Sequence, residues 1–141
     1  MADEHNLQRF IDAQKRDYDA ALSEIKNGRK RSHWMWYIFP QIEGLGYSET
    51  SRYYAIKNLD EAEAYVSHPL LRKRLIDICQ ELLQLQSNNA GSIFGSPDDM
   101  KLKSSMTLFS AVSHADPVFE AVLDKFFGGS KDNITLRILT K

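Results

Sequence analysis

The sequence has one cysteine, Cys79, in 141 residues, which excludes an internal disulfide and a thiolate metal cage. An excess of one charge is also missing: 18 Lys and Arg stand against 19 Asp and Glu, for a net charge of −1. Broad nucleic-acid binding needs a marked basic surplus, so nucleic acid is disfavoured as a partner. No apolar stretch approaches the roughly 18 residues that span a bilayer, and no membrane association is expected. The polar, acidic start Met1-Ala2-Asp3-Glu4-His5 lacks the basic end and apolar run of a secretory signal. A cytoplasmic location is the expectation. Repeats, low-complexity tracts and long linkers are absent, so residues 1–141 read as a single domain, and 43% hydrophobic residues suffice for its core. Also missing are turns of the Asn-Gly hairpin type between alternating apolar runs, which leaves a sheet almost without support.

What is present is helical. Leu7, Phe10, Ile11, Tyr18, Ala21, Leu22 and Ile25 recur at helical spacing. Asn6 can cap this first helix, and Gly28 suits the left-handed residue that ends it. Ser48 starts another turn through Tyr54, and Asn58 caps Leu59 to Val66. Pro69 opens a longer helix carrying Leu71, Leu75, Ile78 and Leu82, which Asn88-Asn89 breaks. Ser96-Pro97-Asp98-Asp99 combines a cap, a first-turn proline and first-turn acids, and predicts a helix to about Val112. Asp116-Pro117 repeats the device, Gly128-Gly129 closes that helix, and Asp132 caps a last one from about Ile134 to Leu139. The pattern predicts an all-α, compact single-domain bundle of about six to eight helices, several of them short.

The richest stretch is Arg29-Lys30-Arg31-Ser32-His33-Trp34-Met35-Trp36-Tyr37-Ile38-Phe39-Pro40-Gln41, which holds both tryptophans. As a strand it alternates Trp34, Trp36 and Ile38 against His33, Met35, Tyr37 and Phe39. As a short helix it is capped by Ser32 and stopped by Pro40. The helix is favoured, because nothing nearby reads as a partner strand.

From Arg31 to Gln41, followed by Gly44-Leu45-Gly46, the sequence resembles the domain-of-unknown-function family 1810 (DUF1810). The block from Gly95 to Phe109 matches as well, as do Leu59-Asp60-Glu61-Ala62 and Tyr65-Val66-Ser67-His68-Pro69-Leu70-Leu71. The resemblance runs from about Leu7 to about Leu139. It implies a compact, mainly helical domain and no established reaction. Some members carry the label calpastatin, but calpastatin-type inhibitors are largely disordered, unlike a chain with caps and core throughout.

No catalytic signature is spelled out, so no reaction is assigned. Arg31, His33, Trp34, Trp36 and Gln41 together suit a small anionic or nucleotide-like ligand. An indole stacks on the ring, a guanidinium takes the anion, and an amide reads an edge. His33 is the candidate for proton transfer. Equally, Trp34, Trp36 and Phe39 can be core, with Arg29, Lys30 and Arg31 at the negative end of the first helix. Asp98, Lys101 and Ser105 share one helical stripe, with Ser104 beside it. Lys101 with either serine could form a nucleophile pair, although a simple Asp98–Lys101 ion pair and small residues for close packing are the plainer account. The expectation is one cleft shared by the aromatic block and the Ser-Pro-Asp-Asp helix. The alternative is a non-catalytic protein-interaction module using the Trp/Arg-rich block. No histidine pair or carboxylate–histidine cluster has metal-ligand spacing, so no metal or cofactor is expected. Cys79 among Leu75, Ile78 and Leu82 reads as a buried thiol.

Overall fold

Local capping chemistry sets most of the helix boundaries. In a computed structural model that describes residues 5–140, α1 (Gln8–Lys26) ends at Gly28, whose φ is +78°. Four later helices start at the caps their sequences call for. Ser48, Asn58, Asp116 and Asp132 each accept from a backbone amide at the head of α3 (Glu49–Tyr54), α4 (Leu59–Ser67), α8 (Pro117–Phe127) and α9 (Asn133–Leu139). Between them lie α2 (Met35–Ile38), α5 (Pro69–Gln84), α6 (Ala90–Phe94) and α7 (Asp98–Ser110). Among the described residues there are nine helices and no strand, only an isolated parallel bridge between Ile42 and Ile56. The helix beyond the expected range is α6: Asn89 ends the preceding segment and also caps a new turn through the amide of Ser92.

Three expected caps are not used. Asn6 sits at φ +50° and offers its carbonyl, not its side chain, to Arg9. Ser32 does not cap α2, because Glu24 takes its hydroxyl; Trp34 stands at the cap position without a side-chain capping bond to the helix. Pro97 rather than Ser96 holds the cap position of α7.

At the centre is α7, which packs on α4, α6, α8 and α9. It buries Leu102 and every residue from Ser104 to Phe109, so it lacks a distinct wet face. Two of its buried hydroxyls turn inward on the helix: Ser104 donates to the Met100 carbonyl at 3.2 Å and Thr107 to Lys103 at 2.8 Å. A chain of rings ties α1, α4, α7 and α8 together, with Phe10–Tyr65, Tyr65–Phe109 and Phe109–Phe119 centroids 5.1, 5.2 and 5.8 Å apart. Such pairs add about 0.5–1.5 kcal/mol each beyond the area they bury. Cys79 is fully buried against Met106, and burial pushes its thiol pKa up.

A buried charge pair fastens α1 to α3 and α4. Arg9 and Glu61 meet at 2.6 Å with side chains 4% and 1% exposed. The guanidinium spends its other donors on the carbonyls of His5, Asn6, Tyr53 and Ala55. Two of these belong to the C-terminal end of α3, so Arg9 determines where that short helix lies. Among the described residues, no helix is long and apolar enough to cross a membrane.

Candidate functional site

The segment before α2 is organised by a carboxylate from α1. Glu24 accepts four hydrogen bonds: the amides of Arg31 (2.6 Å) and Ser32 (2.9 Å), the Ser32 hydroxyl (2.6 Å) and the Trp34 indole N–H (2.9 Å). Burial opposes its ionisation, but these donors outweigh it and hold the carboxyl pKa down at about 2. Trp34 is thereby sealed in the core, edge-to-face with Phe94 and 6.3 Å from Phe39. The single turn of α2 then buries Met35, Tyr37 and Ile38, which leaves Trp36 as the residue turned partly outward. Tyr37 fixes that turn: Gln14 donates to its carbonyl at 2.7 Å, and its hydroxyl donates to Asp17. Burial, and then the Asp17 carboxylate, push the Tyr37 hydroxyl up to about 12, so it stays protonated at neutral pH.

Two hollows meet at Trp36 and Tyr54. The more enclosed one, about 280 Å³, lies between the Gln41–Gly46 segment and α3, with Gln41, Glu43, Tyr47 and Arg52 on its wall. Its floor is stiffened by the Ile42–Ile56 bridge, where Glu43 N–H donates to Ile56 and Ile56 N–H to Gln41, both at 2.8 Å. Gly46 packs closely on α3, since a Cβ would fall 2.6 Å from the Ser51 Cβ. The second hollow, about 610 Å³ and open, is lined by Arg16, His33, Tyr37, Glu49, Thr50 and Tyr53 in addition to the shared pair. In the enclosed hollow the side chains of Gln41, Glu43 and Arg52 make no hydrogen bond or ion pair among the described residues.

A family model described as a protein of unknown function, DUF1810, matches residues 4–139. The chain belongs to that family. It is also similar to a solved structure, the conserved hypothetical protein Rv1873 from Mycobacterium tuberculosis, at 44% identity with a TM-score of 0.96 over 99% of each chain. No curated protein matches it.

In this DUF1810 member the two expected blocks do touch. Lys30 bridges to Asp98 at 2.9 Å, Lys101 pairs with Asp98 at 3.4 Å, and the Lys101 ammonium lies 5.5 Å above the Trp36 ring. The hollows, however, open toward α3 and do not extend between the aromatic block and α7. His33, Trp36 and Gln41 line them; Asp98 and Lys101 form a buttress beside Trp36 and appear on neither wall. Trp34 is fully buried, and Ser104 and Ser105 lie inside α7, so none of the three reaches either hollow. The Arg31 side chain is exposed and also lines neither. No group of three or more His, Cys, Asp or Glu residues among those described is arranged to hold a metal ion. Sequence reasoning missed Arg52, Glu43 and the tyrosines 47, 53 and 54. The signal was there: three tyrosines within eight positions beside an arginine, in a short capped helix following a glycine loop.

Proposed function

We propose that the groove over Trp36 binds a small anionic or nucleotide-like molecule. The observation that supports this reading is the coincidence, in connected hollows, of a partly exposed indole with the side chains of Gln41, Glu43 and Arg52, which have no partner among the described residues. Trp36 and Tyr54 offer faces for a planar ring, and Gln41 offers an amide to its edge. Arg52 in the enclosed hollow, and in the open one Arg16, which also reaches Asp17 at 3.2 Å, supply the cationic contacts, with His33 lining the same open hollow. Lys101 acts behind the ring, its ammonium shared between Asp98 and the face of Trp36. His33 remains the residue for any proton exchange, being exposed at the mouth of the open hollow.

Thermal unfolding with nucleoside monophosphates, dinucleotides and sugar phosphates tests the reading. A ligand at a hundred times its Kd stabilises the protein by about 2.7 kcal/mol, which raises Tm by on the order of 10 °C for a chain of this size. Trp36→Ala is expected to abolish the shift. A panel in which no ligand moves Tm by more than about one degree removes the proposal.

A second reading, a non-catalytic interaction module, draws on Tyr47 and Tyr53, which are 82% and 56% exposed at the rim of the groove. Under that reading Tyr47→Ala and Tyr53→Ala weaken capture of a protein partner, and no small molecule protects Trp36 from an aqueous quencher.

A further inference from the structure

Two side chains of opposite charge stand in the enclosed hollow, and neither neutralises the other. Arg52 comes from the last turn of α3 and Glu43 from the Gln41–Gly46 segment. Among the described residues their side chains make no ion pair and have no other partner. A carboxylate is an acceptor only and a guanidinium a donor only. A planar ligand satisfying both must present N–H donors on one part of its edge and oxygen or ring-nitrogen acceptors on another. The hollow, at about 280 Å³, sits at the small end of the range for small-molecule sites, which suits one ring system and not two. The ring faces come from Trp36 and Tyr54, which line both hollows, so a substituent on that ring has an open way past them toward Arg16 and His33.

Building on the nucleotide-like reading of this groove, we infer that the enclosed hollow selects a 2-amino-6-oxopurine, a guanine-type base, with its phosphate in the open hollow. Guanine carries N1–H and a 2-amino group on one edge, suited to the Glu43 carboxylate, and O6 and N7 on another, suited to the Arg52 guanidinium fork. Adenine reverses the first of these patterns: its N1 is an acceptor and would face a carboxylate. The Gln41 amide can serve either base and contributes affinity without choosing. Arg16 and His33, with the Thr50 hydroxyl beside them, meet the phosphate. Glu49 lines the same hollow and opposes it, so the base, not the phosphate, supplies the selectivity.

The test uses the full-length chain and the fluorescence of Trp36, with Trp36→Phe identifying the constant signal from buried Trp34. Guanosine 5′-monophosphate and adenosine 5′-monophosphate are titrated against the wild type, Glu43→Gln and Arg52→Ala. Glu43 and Arg52 are both exposed, so the variants keep the fold, and circular dichroism checks that they do. The expected result is a preference for the guanine nucleotide of about tenfold or more, shrinking below about threefold in either variant. Equal affinity for the two nucleotides, or a preference that survives both substitutions, overturns the base assignment and leaves the groove as a nucleotide site. No binding of either nucleotide overturns the assignment, and together with a silent ligand panel it removes the groove reading too.

Discussion

Loss of Arg9 is expected to weaken the protein and the groove together. Arg9 is 6% exposed and makes five hydrogen bonds, one to Glu61 at 2.6 Å and four to backbone carbonyls. Replacing one partner of a buried pair strands the other, which costs about 3–5 kcal/mol. Arg9→Met strands the Glu61 carboxylate and also the carbonyls of Tyr53 and Ala55, so it belongs at the upper end of that range. Glu61→Gln keeps an acceptor for Arg9 and belongs at or below the lower end. Set against a total stability of about 5–15 kcal/mol, either change is large. Urea unfolding at neutral pH measures both, with the slope checked for constancy so that the midpoint reports stability. The double variant Arg9→Met/Glu61→Leu leaves no charge uncompensated and is expected to cost less than the sum of the two single losses. Because Arg9 anchors the C-terminal end of α3, Arg9→Met is also expected to lower affinity for any ligand of the groove, although it lines neither hollow. A cost below about 1 kcal/mol for Arg9→Met would refute the reasoning, because it would mean that water replaces every one of those bonds.

Glu24 has a folded-state pKa near 2 against an ordinary value of 4.5, so its contribution is complete above pH 4.5 and is lost as pH falls toward 2. Wild type should exceed Glu24→Gln by on the order of 1–2 kcal/mol at pH 7 after allowance for solvent screening, and a gap that stays constant down to pH 2 would contradict this. The Ser105 hydroxyl is buried without a hydrogen-bond partner, so Ser105→Ala should leave the urea midpoint unchanged or raise stability by up to about 1 kcal/mol. A marked loss would mean that the hydroxyl has a partner after all. Gly46→Ala should cost about 1–3 kcal/mol because its Cβ would fall 2.6 Å from that of Ser51. Adding Ser51→Gly should recover part of that loss by calorimetry, and no recovery would point to backbone strain instead of the clash.

Interactions that act within a few residues were readable from the chain. Ser48, Asn58, Asp116 and Asp132 cap as their sequences predict, because a cap needs only an amide two or three positions ahead. The same local rule fails where a distant group competes. Ser32 has the right neighbours for a cap, yet Glu24, eight residues earlier, is ionised and accepts both its amide and its hydroxyl. A charged acceptor makes the stronger bond, and the helix starts later without a side-chain cap. Arg9 and Glu61 are 52 positions apart, and each reads locally as an ordinary charged residue of an amphipathic helix. Only the packing of α1 against α3 and α4 turns them into a buried pair.

The site shows the same division. Composition marked the block from Arg31 to Gln41 as unusual, and Trp36, His33 and Gln41 do face the hollows. Periodicity could not say which tryptophan would be sealed, because the two indoles lie about 200° apart around a helix and four helical residues complete barely one turn, too few to mark a face. What settles it is a hydrogen bond from outside the block: the Trp34 N–H reaches Glu24, which pins that ring inward and leaves Trp36 on the other side of the turn. Lys101 and Asp98 read in the chain as ligand contacts because they are polar residues near aromatics. They are engaged with each other, with Lys30 and with the Trp36 face, which is the state of charges that stabilise a wall. Arg52 and Glu43 read as ordinary surface charges in the chain, and folding brings them to one hollow without giving either side chain a partner among the described residues. Such a pair is invisible to spacing and composition alike, since what distinguishes it is the contact that the fold leaves unmade.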